Sequence, residues 1–214
     1  MKVKLGKNLI INNITLSFAK GINLIIGPNG SGKTTLLRTI IGMINPLEGE
    51  IKVKENLSFA PAEFYSPNIK VRDVILAGKK KGEYEKFVKM FNANEFLDRD
   101  FSSLSSGEKR IMLIIKALAE GDLVIMDEPL SNLDIANRRK IIESILKLKE
   151  EKQFLITSHE LEMINFADNV ILMKKGKVVY QGNKEEISEE LLSSVYGVQV
   201  KKINYDGYVF FKTY

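Results

Sequence analysis

Apolar and polar positions along the chain fall into two alternating rhythms. Short runs rich in β-branched residues predict strands at 14–18, 22–26, 57–60, 123–126, 154–157, 170–173 and 178–180. Between them, apolar residues recur at helical spacing. This predicts helices over 33–43, 84–92, 106–119, 135–149 and 160–166. In the fourth helix Ile141, Ile142, Ile145 and Leu146 make one stripe, with Arg138, Arg139 and Glu143 largely off it. The central strands are almost wholly apolar, as parallel strands covered on both faces are. Strands alternating with helices describe an α/β fold. Residues 61–119 are mainly helical and lie between core strands, so they read as an inserted helical lobe. The tail has two β-rich runs, 198–203 and 209–213, around Asp206-Gly207, which is a hairpin signal.

The 214 residues suit one domain of the larger single-core kind. Cysteine is absent, which excludes disulfides and thiolate metal sites. The net charge of +5 is mild, with 32 basic residues scattered among 27 acidic ones. The densest basic run, Lys79-Lys80-Lys81, reads as a solvated loop rather than a nucleic-acid or lipid patch, so no nucleic-acid partner is expected. No stretch approaches the roughly 18–20 apolar residues that span a bilayer. Near the N-terminus the apolar residues 9–11 stop at Asn12-Asn13, unlike a signal peptide. The expectation is a cytoplasmic protein that acts at a membrane only by docking on a partner.

Gly27-Pro28-Asn29-Gly30-Ser31-Gly32-Lys33-Thr34 matches the phosphate-binding pattern G-x-x-x-x-G-K-[ST], follows an apolar strand and opens a helix. Its glycines allow a close wrap with N–H groups turned inward, and the helix adds its positive end. Lys33 would supply charge to the β- and γ-phosphates and Thr34 a hydroxyl to Mg²⁺. GTPases read guanine with Asn-Lys-x-Asp. The one Asn-Lys here, Asn183-Lys184, runs into Glu185-Glu186, which favours ATP. The strand at 123–126 ends in Asp127 and Glu128. Because side chains alternate along a strand, the two acids can take different tasks. Asp127 would sit near Mg²⁺ and Glu128 would activate water. His159, the single histidine, follows another apolar strand, at the sheet edge where ligands of open α/β sheets bind.

Leu104-Ser105-Ser106-Gly107-Glu108 opens a further helix. It reads as a capping box, with Ser105 as cap and Glu108 reaching back. It also resembles the Leu-Ser-Gly-Gly-Gln signature of the ATP-binding-cassette (ABC) family, departing at Ser106 and Glu108. Gly27–Thr34 with Thr35, Pro46 and Gly49, Asp127-Glu128-Pro129, Ser131-Asn132-Leu133-Asp134 and His159 follow in the family's order, so the resemblance spans essentially the whole chain.

The resemblance implies a P-loop NTPase fold. A RecA-like core (about 1–60 and 120–182) would carry an antiparallel β subdomain, an inserted α-helical subdomain (61–119) and a tail (183–214). It implies an ATP- and Mg²⁺-dependent ATPase that works as a head-to-tail pair. Ser105, Ser106, Gly107 and Glu108 of one copy would then face the γ-phosphate held by the other. Asp134 would meet the partner copy, and a transmembrane permease would be driven from the inner face of the cell membrane. The tail around Tyr196-Gly197-Val198 is similar to that of importer ATPases for iron-siderophore, haem and cobalamin uptake. Tyr196-Gly197 can equally be an ordinary helix end.

Two departures stand out. Leu5 occupies the position where the family stacks an aromatic on adenine, with Phe18 a possible helper. Ala62 follows Pro61 where the family has a Gln that contacts Mg²⁺, and Glu63 is one place out of register. Phe64 and Tyr65 read either as a docking pocket for the permease or as lobe core. The competing reading is a soluble, non-transport ABC ATPase such as an iron–sulfur assembly type. Chromosome-type members, with long coiled coils inserted before the signature, do not fit.

Overall fold

The computed structural model describes residues 1–77 and 83–214; the lysine run at 79–81 lies outside the described residues. Chain contacts divide the molecule into two units, residues 1–53 with 155–214 and residues 54–154.

The first unit opens with an antiparallel hairpin, β1 (Val3–Leu5) and β2 (Asn8–Ile11). β3 (Ile22–Ile26) is buried throughout and runs into α1 (Lys33–Ile40). Residues 14–18 do show the in-out alternation expected of a strand, with Ile14 buried, but they form no strand. Side chains hold this segment in place of a ladder. Asn23, buried inside β3, bonds both the N–H and the carbonyl of Ala19 (3.1 and 2.8 Å), and the Gln181 amide donates to Ser17 O. Ile14 exchanges backbone bonds with Met1.

In the second unit, β4 (Leu57–Ala60) pairs in parallel with β5 (Leu123–Asp127), in register Leu57 to Leu123 and Ala60 to Met126. Helices α2 (Val71–Leu76), α3 (Tyr84–Met90), α4 (Ser106–Glu120) and α5 (Ile135–Leu148) complete it. α4 packs on β4 and receives α2 and α3 on its flank. Its buried residues Ile111, Ile114, Ile115 and Leu118 recur at helical spacing. Phe64 meets Phe101 edge-on at 6.3 Å, whereas Tyr65 is 87% exposed. The two aromatics therefore divide between lobe packing and open surface.

β6 (Gln153–Ser158) carries the chain back to the first unit. The expected helix at 160–166 is a 3₁₀ helix, Leu161–Phe166. β7 (Asn169–Lys174) pairs in parallel with β3 and antiparallel with β8 (Lys177–Gly182). α6 (Glu189–Tyr196) ends at Gly197 in the left-handed region (φ 74), a conformation that favours glycine. Tyr196-Gly197 is thus a helix stop. β9 (Val200–Tyr205) and β10 (Tyr208–Thr213) form the terminal hairpin around Asp206-Gly207.

Candidate functional site

In the first unit, the loop Gly27–Gly32 joins β3 to α1. A Cβ on Gly27 would lie 2.1 Å from Met173 O, so only glycine lets the loop pass the end of β7. Gly32, at φ 103, is the N-cap of α1. That cap supplies no side-chain bond, and the first turn holds no acid. α4, α5 and α6 are each capped by their own side chains, from Ser105, Asp134 and Ser188. The positive end of α1 thus draws no anion from its own cap or first turn.

Lys33 is buried, and its Nζ donates to Gly27 O at 2.8 Å and reaches Pro28 O at 3.5 Å, which keeps the ammonium inside the loop. The Ser31 hydroxyl is buried with no hydrogen-bond partner. An unmatched buried hydroxyl costs about 1–3 kcal/mol, so it calls for a polar ligand. An uncapped helix end, an enclosed ammonium and an orphaned hydroxyl together fit a polyphosphate. Thr34 and Thr35 are half-buried on the first turn of α1. The loop is braced by Gly176 N, which donates to Ser31 O at 2.9 Å, and by Ile11 beside Gly32. Leu5, opposite Asn8 in the β1–β2 hairpin, is 43% exposed. His159 is exposed and directly follows β6, where Ser158 Oγ accepts from Glu160 N.

In the second unit, β5 is buried along its length and ends at Asp127. Glu128 follows with φ 51, a left-handed conformation that costs a non-glycine residue about 1–3 kcal/mol. Three donors converge on its carbonyl: Ser131 N (3.2 Å), Ser131 Oγ (3.0 Å) and Arg110 Nη1 (3.0 Å). The other terminal nitrogen of Arg110 donates to Ala62 O at 2.8 Å. Burial draws the Arg110 guanidinium below its ordinary range, while Asp127 and Glu128 pull it back up. Sequence reasoning missed Arg110, although the signal was present. Arg110 stands on the stripe of Ile114 and Leu118, at i, i+4 and i+8, so it occupies a position helical spacing buries. A buried charge there must find acceptors.

The start of α4 is the expected capping box. Ser105 Oγ accepts from Glu108 N at 3.2 Å, and Glu108 Oε2 accepts from Ser105 N at 2.7 Å. This engages the Ser105 backbone amide but leaves its hydroxyl proton to donate. A Cβ on Gly107 would lie 3.1 Å from Leu133 Cδ2, so the signature turn and the Ser131–Asp134 loop pack together. Asp134 caps α5, accepting from Asn137 N at 2.8 Å and Asn137 Nδ2 at 2.9 Å. The second unit thus joins Asp127 and Glu128 to Arg110, and Ser105–Glu108 to the loop before Asp134. The first unit holds the phosphate loop, Leu5 and His159.

The family model described as ABC transporter matches residues 11–131. An uncharacterized ABC transporter ATP-binding protein of Methanocaldococcus jannaschii is 33% identical over 201 residues, covering 87% of this chain and 76% of its own. The zinc import ATP-binding protein of Wigglesworthia glossinidia brevipalpis is 31% identical, covering 86% of this chain and 84% of its own. The molybdate import ATP-binding protein of Haemophilus influenzae is 27% identical, covering 89% and 83%. Among solved structures, a metal-chelate type ABC transporter in an inward-facing conformation superposes with a TM-score of 0.81 at 24% identity, over 95% of this chain and 90% of that one. A dimeric bacterial ABC transporter cassette gives 0.75 at 22%, over 87% and 96%. These two carry the fold, that of a P-loop NTPase. The matched stretch begins in β2 and runs through the phosphate loop, the signature turn and Asp127-Glu128, and with the relatives it assigns the protein: the chain belongs to the ABC transporter family, as an ATP-binding and ATP-hydrolysing subunit that powers transport.

Proposed function

We propose that two copies of the chain, arranged head to tail, enclose two ATP molecules and drive a separate transmembrane permease from the cytoplasmic face of a membrane. The observation that carries this is the uncapped start of α1, with Lys33 enclosed behind it and the Ser31 hydroxyl unmatched. In this reading, the loop N–H groups of Gly27–Gly32, with Lys33 and Thr35, take the phosphates. Leu5 covers adenine by apolar contact in place of an aromatic stack. Thr34 and Asp127 would hold Mg²⁺, which neutralises phosphate charge when bound. Among the described residues no group of three or more metal-ligating side chains occurs, so phosphate oxygens and water would complete its shell.

Glu128 acts as general base toward the attacking water, and His159 orients that water and the γ-phosphate. From the partner copy, the N–H groups of Ser106 and Gly107 and the Ser105 hydroxyl donate to the same phosphate, and Glu108 fixes their turn. Asp134 orders α5 and the loop that meets the other copy. Closure follows because the γ-phosphate is contacted from both sides only in the closed pair.

The domain reading remains a RecA-like core at about 1–60 and 120–182, a helical subdomain at 61–119 and a tail at 183–214. Tyr65 and the 64–74 segment of that subdomain are the proposed permease contact. Import is the favoured direction, supported by the two import relatives. No described helix is long and apolar enough to cross a membrane, which suits a permease on another chain. Affinity capture from detergent-solubilised membranes tests this. Stoichiometric recovery of a polytopic membrane protein supports it. Recovery of soluble proteins alone would favour the non-transport reading.

A further inference from the structure

The outer face of the terminal hairpin has no described role in the site. Cross-strand pairing sets it out in three rows: Lys201 with Lys212, Ile203 with Phe210, and Tyr205 with Tyr208. The opposite face lies inward: Val200 is buried, Val209 and Phe211 are half-buried, and Asn165 bonds both the amide and the carbonyl of Val209. The outer rows are exposed, and Tyr214 extends them. At 46–72% exposure, the four aromatic side chains Tyr205, Tyr208, Phe210 and Tyr214 leave on the order of 500 Å² of apolar surface in water. That is the size of patch that marks an interaction site.

We propose that this face binds the same face of a second copy, and does so without nucleotide. The arrangement is self-complementary about one two-fold axis. An axis lying in the contact plane and crossing the strands at the Ile203–Phe210 row sets that row on itself. It puts each Lys201 against the partner copy's Tyr205 and each Lys212 against the partner copy's Tyr208. An axis along the strands would stack lysine on lysine, a like-charge contact that costs energy. Lysine over tyrosine is the favourable alternative, and Lys212 Nζ already lies 4.9 Å from the Tyr214 ring centre. Lys201 also keeps its ion pair with Glu189 at 3.0 Å. Two such faces bury roughly 1,000 Å², the lower bound of a specific interface. The surface is a strand pair rather than a groove, which suits an identical sheet face. This contact does not depend on the ATP-enclosed pair proposed above.

The chain contains no cysteine, so single cysteines report cleanly. Facing sheets pack about 10 Å apart, within reach of a short bismaleimide. Ile203→Cys and Phe210→Cys should each cross-link to themselves in nucleotide-free protein. Lys201→Cys or Tyr205→Cys alone should not, because each is displaced about 14 Å along the strand from its own copy. A mixture of those two variants should cross-link. Sedimentation of the unmodified, nucleotide-free chain should give a dimer that Phe210→Glu weakens about 30-fold, at unchanged Tm. A nucleotide-free monomer, absent 203 and 210 cross-links, or equal cross-linking at all four positions would overturn the proposal. ATP-dependent pairing of a Glu128→Gln chain would survive each of those results, so the two pairings fail separately.

Discussion

At the residue scale, Arg110 does what its chemistry allows and its sequence position conceals. One buried guanidinium donates to the carbonyls of Glu128 and Ala62. It thereby ties the backbone that aims Glu128 to the segment where the family resemblance places a metal-contacting Gln. Glu128 is held at φ 51, and a strained residue keeps such a conformation only when its surroundings over-determine it. If Glu128 is the base proposed above, Arg110 is a positioning residue for hydrolysis. Arg110→Met should take one of three donors from the Glu128 carbonyl and the guanidinium donor from the Ala62 carbonyl, and lower stability by about 1–2 kcal/mol. Arg110→Lys, which can reach one carbonyl but not fork to both, should fold and bind ATP normally. Its kcat should fall about tenfold or more, with KM nearly unchanged. Equal kcat for the lysine variant and the unmodified chain would remove Arg110 from the catalytic account.

At the scale of elements, the helices divide by how their first turn is satisfied. α4, α5 and α6 cap themselves; α2 and α3 lack a side-chain cap but carry Asp73 and Glu85 in the first turn; α1 has neither cap nor acid. The Ser105 cap predicts a dissociation of effects. Ser105→Ala should cost the fold about 1 kcal/mol through lost capping, read as a lower urea midpoint. If Ser105 also serves a phosphate in the partner copy, hydrolysis should fall by far more than that loss of stability explains. A hydrolysis rate that simply tracks the folded fraction would reduce Ser105 to a cap.

The same elements mark how far the sequence could be read. Continuous apolar runs placed β3, β5 and β7 because burial on both faces leaves no ambiguity of side. The capping box at α4 was legible because it is a local exchange over three residues. Residues 14–18 misled because alternation reports a half-buried extended segment and not the ladder partner. Here Asn23 and Gln181, distant in sequence or embedded in a core strand, do the ladder's work. The 160–166 segment misled because a six-residue turn of helix carries too little period to separate 3₁₀ from α. The short helix α2 passed unremarked for the same reason, and of α6 only the end at Tyr196-Gly197 could be read. Helical spacing marks Arg110 as buried, but its partners are backbone carbonyls, 48 and 18 residues away, that no side-chain pattern announces.

At the scale of the molecule, the central claim is that one chain does not complete a site. In the proposed pair, Gly27–Thr35 would supply the donors for one side of a triphosphate, and Ser105–Gly107 of another copy the other side. If hydrolysis reopens that pair, as proposed, stopping it should trap the pair. Glu128→Gln keeps shape and hydrogen-bonding reach but cannot act as a base. The measurement is light scattering with nucleotide stoichiometry on a chain carrying Glu128→Gln together with Phe210→Glu, the latter silencing the hairpin face. With Mg²⁺ and ATP this variant should run as a dimer holding two ATP, and as a monomer when nucleotide is removed. A monomer carrying one ATP at the same protein concentration would contradict the account.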